Sequence, residues 1–254
     1  DLVRSRGLGD VYKRQGNDTA RNLVYIHNDD AGATGAVGLK IQQDSTGSPL
    51  HIENNGQTSV EGLKLQNTQN SYGQEMGIGF YSHATNTAGE IKGKRGGGDQ
   101  SYSLIFSTTS NFDGDNMAEA MRIDGSGNVL IGHTAAVDVG QTGSFQVNGT
   151  DNDSGSMSVV NWGNNSAHSA QIHLAHSKSN SKGTNTALVD NDAIGGIYFR
   201  GADGSDFETI SASIVAQVDG SVATSQVPSE LIFSTAAGGS DDDVTARMTI
   251  DASG

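Results

Sequence analysis

The sequence predicts an all-β protein made of two tandem repeat modules of short antiparallel strands and hairpins, arranged as elongated fibre-like units or as small sandwiches. Three observations predict this fold class. Apolar and polar residues alternate over short segments, as they do in strands. Gly-, Asn-, Asp- and Ser-rich segments separate them, and no long stretch shows the apolar spacing of a helix. Finally, two separated blocks of sequence recur at one offset.

The internal repeat is carried by these two blocks. Residues 104–108 (LIFST) recur at 231–235, an offset of 127. Residues 121–127 (MRIDGSG) recur at 248–254 as MTIDASG, again at an offset of 127. Two blocks that hold one offset indicate a duplicated module rather than chance similarity.

An upstream match has a shorter offset. The segment GIGFY at 77–81 roughly matches GIYF at 196–199, at an offset near 119. The second copy therefore carries about eight extra residues, which we expect to form a loop insertion around 219–226.

The repeat defines the expected domain organisation. Residues 1–15 (DLVRSRGLGDVYKRQ) are more basic than the rest, lack a strand or helix period and resemble translated sequencing-adapter read-through of the kind found in metagenomic assemblies. We expect them to be a disordered artefact. Two β modules follow, at 16–134 and 135–254. The second lacks a counterpart of 128–132, so we expect it to be truncated at its C-terminus.

One hairpin is predicted in detail. Two segments with apolar residues at every second position flank the loop 124–128, whose residues tolerate positive φ. Met121, Ile123, Val129 and Ile131 are expected to share one buried face. Further short strands are predicted at 23–26, 39–41, 50–52, 63–65, 172–174 and 210–214.

Composition limits the core and the partners. Only 34% of the residues are hydrophobic and 6% aromatic, with 35 Gly, no Cys and a net charge of −14. Burying a side chain yields about 1.5–3 kcal/mol, against about 1–2 kcal/mol per ordered residue. We therefore expect association of parallel chains, and the family resemblance described below implies that they form a homotrimer. The acidic charge argues against nucleic-acid binding, and the lack of a long apolar run argues against membrane insertion.

The strongest family resemblance lies in the repeated block. Residues 121–132 and 247–254 resemble the repeats of phage tail fibres and tail spikes, which often precede an intramolecular chaperone of the endosialidase type. Leu130 stands where those repeats usually have Gly, and Thr249 where they usually have Arg. No chaperone domain with its autocleavage site is present in the sequence, so that activity is not carried over.

The resemblance implies a structural, non-enzymatic segment of a virion tail appendage, extracellular, that spaces or displays a host-recognition tip. Its expected partners are two further copies of the chain, other virion tail proteins and, as a further option, a host surface glycan. The alternatives are a glycan-binding receptor-recognition module, a bacterial surface adhesin repeat and, least favoured, a depolymerase.

The sequence offers few candidate site residues, and no cofactor is predicted. Trp162 is a weak candidate for stacking on a sugar ring, although lone aromatics more often anchor a core. The oxygen-rich stretches 113–116 and 241–243 are weak calcium candidates that do not match the EF-hand loop. Their carboxylates are Asp113, Asp115, Asp241 and Asp243. His173 and His176 are three residues apart, which would suit one face of a helix, but surface histidines of a strand are the expected interpretation.

Overall fold

The computed structural model describes residues 63–66, 72–81, 87–96, 102–109, 117–238 and 243–254. Contacts divide the chain into two units, Asp1–Lys64 and Leu65–Gly254, and both sheets described below belong to the second. The expectation for residues 1–15 and the strands predicted at 23–26, 39–41 and 50–52 lie outside the described residues. The boundary between modules at residue 134 stays a prediction.

All helix or strand structure in the described residues is β-strand, which confirms the predicted fold class. The strands are β1 (Glu75–Tyr81), β2 (Thr87–Arg95), β3 (Tyr102–Thr109), β4 (Met117–Ile123), β5 (Val129–Ile131), β6 (Phe145–Val147), β7 (Ala193–Arg200), β8 (Ile210–Val218), β9 (Ser229–Ala236) and β10 (Val244–Ile250). The first sheet has the order β1-β2-β3-β4-β5-β6 and the second the order β10-β9-β8-β7. All neighbours are antiparallel except β5 and β6, which are parallel.

The hairpin predicted from the repeated block is confirmed. β4 and β5 are antiparallel, with Met121 opposite Ile131. The side chain of Asp124 accepts hydrogen bonds from the backbone N–H groups of Ser126 and Asn128, each at 2.9 Å, and so closes the loop. Gly127 has a φ of 86°, which a residue without Cβ adopts at little cost.

The strand register shows that the sequence repeat is also a structural repeat. An apolar row crosses β1–β4 and an equivalent row crosses β7–β10: Ile78, Ile91, Phe106 and Met121 in the first, Ile197, Ile214, Phe233 and Met248 in the second. Matched residues differ by 119 in the first strand, by 123 in the second and by 127 in the third and fourth.

These offsets locate the extra residues of the second copy. The eight residues are divided equally, because the connections β7–β8 and β8–β9 are each four residues longer than their counterparts. The prediction of a single insertion around 219–226 is therefore wrong in part. That region holds half of the extra length, and the segment 201–209 holds the other half.

Two β-bulges recur at equivalent places in both sheets. In the register, Ala88 of β2 and Ser211 of β8 are the extra residues of the first bulge. Ala120 of β4 and Arg247 of β10 are those of the second. A bulge opposes two residues to one and cannot slide along its partner strand without breaking the ladder. The bulges therefore hold the apolar rows on one face of each sheet.

The most buried side chains of the first sheet lie on the face opposite to the predicted one. Leu130 is 0% exposed and Ile105 2% exposed. The four residues predicted to be buried, those of the hairpin, do share a face, but each keeps part of its surface in contact with solvent. The prediction of their burial is wrong, because the first sheet packs its connection 132–144 on the other face.

The side chain of Gln146 shows how that connection is held. Gln146 lies opposite Leu130 in the parallel pair β5–β6, so both side chains share a face. Its amide accepts a hydrogen bond from the N–H of Val137 at 2.9 Å and donates one to the carbonyl of Val137 at 2.8 Å. The connection therefore crosses over the Leu130 side of the sheet and excludes water from it.

Two predicted strands do not form within the chain. The segments 63–65 and 172–174 have no β-ladder partner in the described residues. Their apolar-polar-apolar pattern is typical of strands, but the pattern says nothing about where a pairing strand is found.

Substituting Leu130 tests this core. We expect Leu130→Ala to lower the free energy of unfolding by about 2–5 kcal/mol, since the cavity has no solvent access and the sheet relaxes little around it. Urea unfolding followed by circular dichroism measures the change. Leu104→Ala, at a position that is 42% exposed, is the matched control and should cost clearly less at concentrations where copies do not associate. Equal losses in the two variants would contradict the assignment of the core.

Candidate functional site

The residues that carry catalytic or metal chemistry are scattered. No group of three His, Cys, Asp or Glu side chains in the described residues is placed to hold a metal ion. His173 Nε2 pairs with Gln171 Oε1 at 2.8 Å, and His176 Nδ1 lies 2.7 Å from the carbonyl oxygen of Ala193. The two histidines thus have separate partners, and the structure does not join them into one site.

The calcium hypothesis remains a prediction. Asp243 lies immediately before β10, whereas Asp113, Asp115 and Asp241 lie outside the described residues.

Trp162 does not anchor a core. Its side chain is 94% exposed, and it lies in the irregular segment that joins the two sheets. An exposed ring has a free face for stacking, but the groove described next does not include it. The glycan-stacking role of Trp162 stays a prediction.

A groove of about 730 Å³ lies beside the junction of β6 with β7 and β8. This groove could not be predicted from the sequence, because its walls come from segments far apart in the chain. Its aromatic residues are Phe145 and Tyr198, both at least half exposed. Arg200, whose guanidinium donates to the carbonyl of Glu208, also lines it. Aromatic rings beside a fixed cation suit a polar organic ligand and supply no nucleophile or general base.

A ladder of charges crosses β1 and β2 on the face that carries Ile105. Lys92 Nζ lies 2.9 Å from Glu75 and 2.6 Å from Glu90, and Lys94 Nζ lies 3.0 Å from Glu75. Hydrogen bonds from Lys92 and Lys94 hold the pKa of the Glu75 carboxyl below its ordinary value. The bonds to Glu90 and Glu75 raise the pKa of Lys92. These ion pairs are partly exposed at the β1–β2 end of this face, whereas Ile105 and Leu130 on the same face are buried.

The opposite face of each sheet is the candidate functional surface, here termed the apolar face. Residues that face each other across neighbouring strands form two rows on it in each sheet. In the first sheet they are Ile78, Ile91, Phe106, Met121, Ile131 and Val147, and Met76, Gly93, Leu104, Ile123, Val129 and Phe145. In the second they are Ile197, Ile214, Phe233 and Met248, and Gly195, Ala216, Leu231 and Ile250.

The two apolar rows of each sheet are partly exposed. None of the side chains in these rows is buried, and Ile197 and Phe145, for example, are 53% and 56% exposed, although Val218, farther along the same face of β8, is 1% exposed. At strand spacings of about 4.8 Å and two rows per sheet, the faces measure roughly 400 Å² and 260 Å². Soluble monomers rarely expose contiguous apolar patches larger than a few hundred Å², and larger patches mark interaction sites. The strand periodicity of the sequence already predicts these apolar rows, and an apolar row without a covering layer indicates an interaction surface.

Comparison with known proteins defines the class of fold. No protein-family model matches the sequence, and no curated protein matches it either. Solved structures do match, and the chain has a phage tail-fibre-like fold.

Two matching structures come from the L-shaped tail fibre of bacteriophage T5. One is its carboxy-terminal domain with the intramolecular chaperone domain, with a TM-score of 0.62 and 13% identity over 81% of this chain; this chain spans 60% of its length. The other is the carboxy-terminal domain, with a TM-score of 0.55 and 14% identity over 85% of this chain and 88% of that one. These matches do not specify that the chaperone domain is of the endosialidase type.

The described residues contain no helix that is long and apolar enough to cross a membrane.

The charge ladder predicts a pH dependence of stability. The pKa of Glu75 is lower in the folded chain than in the unfolded chain. The ion pairs of Glu75 with Lys92 and Lys94 therefore stabilise the fold at pH values above the unfolded pKa, and this stabilisation is lost as the pH falls through the folded pKa. We expect Glu75→Gln to cost about 0.2–1 kcal/mol at neutral pH and nothing at about pH 2. Urea unfolding across pH measures this. The difference in unfolding free energy between the Glu75→Gln variant and the unmodified protein should shrink in 1 M salt. A difference that persists in acid would exclude the ion pairs as its cause.

Proposed function

We propose that this chain is a non-enzymatic structural segment of a phage tail fibre or tail spike, which spaces or displays a host-recognition tip. The observation that carries the proposal is the tail-fibre-like fold in a chain whose two sheets each keep one apolar face uncovered. In this role the chain lies in a virion appendage outside the host cell, in contact with other tail proteins.

The internal repeat supports a spacing role. Each copy of the repeat adds one four-stranded unit with the same register and the same two bulges. Repeats that stack by nearest-neighbour contacts extend a structure without requiring a larger core. A segment of this kind needs length and rigidity and no reactive groups.

We further propose that the chain assembles as a homotrimer through its apolar faces. The two faces together offer roughly 650 Å² of apolar surface, which a closed trimer divides between two partners, so the faces supply part of the ~800 Å² per partner of a stable interface. Copies arranged around a closed symmetry axis cover every face equally. The charge ladder on the opposite face then remains in solvent.

A glycan-binding role is the second candidate, favoured by the groove beside β6. Phe145 and Tyr198 can stack on a sugar ring, and the donors of Arg200 can bind its hydroxyls. In this case the same chain would both extend the fibre and contact the receptor. Glycan-array binding that is lost in Tyr198→Ala would support it.

Immunogold labelling tests the tail-fibre role. An antibody raised against the recombinant chain should label tail appendages of phage particles purified from the material that yielded the sequence. Pre-immune serum is the control. If the antibody labelled bacterial surfaces and left the phage particles unlabelled, the chain would be a bacterial adhesin and the proposal would be refuted.

Multi-angle light scattering tests the homotrimer. We expect the mass of the full chain to equal three chains, and Ile78→Asp to shift it toward one chain, because a charge on the apolar face must be desolvated. Tyr81→Asp, on the other face of the same strand, is the matched control and should stay trimeric. A single-chain mass for the unmodified protein at all concentrations would rule the homotrimer out.

A further inference from the structure

The segment that joins the two sheets carries an unusual sequence. Residues 154–177, here called the neutral arm, contain no Asp, Glu, Lys or Arg in a chain with a net charge of −14. Their only ionisable side chains are three histidines, and their large apolar residues are Met157, Val159, Val160, Trp162, Ile172 and Leu174. Segments held in solvent are typically charged and poor in large apolar residues, so this composition is typical of a segment that docks.

The two ends of the neutral arm are held by contacts within the chain, whereas its middle is largely exposed. Met157, Val160 and Ile172 are 63%, 64% and 69% exposed. The backbone groups of residues 157–164 and 169–176 make no hydrogen bond within the part of the chain that the structure describes. Backbone donors and acceptors without partners in their own chain can bond to water or to a neighbouring copy.

The arm is attached at the edge of the second sheet. A Cβ on Gly195 would lie 2.8 Å from the Cβ of Leu174, so this glycine makes room for Leu174 at the edge of the apolar face. His176 Nδ1 meets the carbonyl oxygen of Ala193 in the same strand. Beyond these contacts the arm leaves its own sheet, since Trp162 remains 94% exposed.

We propose that the neutral arm docks on the apolar face of the second sheet of a neighbouring copy of this chain. The proposal deepens the proposed function, because it rests on the homotrimer and names the segment that links its copies. Each copy supplies one arm and one face, so a closed ring of copies covers all of them.

Charge and area both favour a second copy as the occupant. Acidic copies repel one another, and an uncharged arm is the part of the chain that approaches an identical copy at least electrostatic cost. The ring of Trp162 adds about 150–250 Å² of contact. This area adds to what the apolar faces contribute toward the ~800 Å² per partner of a stable interface.

The protein carries its own probe for this contact, because Trp162 is its one tryptophan. We expect its emission to be blue-shifted and its quenching by acrylamide to be reduced several-fold in the assembled full chain. Both signals should revert on dilution at the concentration where light scattering shows dissociation. Met248→Asp, on the proposed docking face, should expose the ring, whereas Thr249→Asp on the other face should not.

A second variant pair keeps the test independent of fluorescence. Trp162→Ala should raise the dissociation constant between copies about tenfold or more, as truncation of a buried interface aromatic does. Asn164→Ala, two residues away in the same arm, should leave it unchanged.

The outcomes separate this inference from the proposed function. Copies that associate while Trp162 stays exposed to acrylamide would overturn the docking of the arm and leave the homotrimer intact. A chain that remains single at all concentrations would overturn both. If the side chain of Trp162 is shielded from acrylamide in the single chain, the arm packs on its own sheet, and this result also overturns the inference.

Discussion

The constraint on which the whole structure depends is that a sheet with one apolar face needs a second layer. Strand register places Ile78, Ile91, Phe106 and Met121 in one row, and the second sheet repeats this arrangement. The described residues supply no layer to cover either row. Only 34% of the residues are hydrophobic, and the layer that would cover these rows has to come from outside the described part of the chain.

The opposite face shows what an internal layer looks like in this protein. There the connection between β5 and β6 lies over Leu130, held by the two hydrogen bonds between Gln146 and Val137. The burial of Leu130 and Ile105 therefore stabilises the single chain. Local stability and the proposed assembly would thus use different faces of one sheet, and a substitution on one need not disturb the other.

Much of the fold could be predicted from the sequence, since strand periodicity and the duplicated blocks are local signals. The hairpin around residues 124–128 is confirmed because its turn residues and its alternation agree. The burial of Leu130 could not be predicted, because the connection near it is held by Gln146 of β6, and the parallel pairing of β5 with β6 is not a local sequence signal. The segment 172–174 has the pattern of a strand and lacks only a partner, which no local pattern can supply. The groove that contains Phe145 and Tyr198 was missed for the same reason.

The unequal connections of the two copies have a consequence for how this molecule can change. The connections before β8 and before β9 are each four residues longer than their counterparts, and yet the two sheets keep equivalent apolar rows and two equivalent bulges. Lengthening a surface loop costs little chain entropy, so these turns can drift, lengthen or be exchanged between lineages while the scaffold stays as it is. Mutations in these loops can therefore change the surface chemistry of the protein without changing its fold.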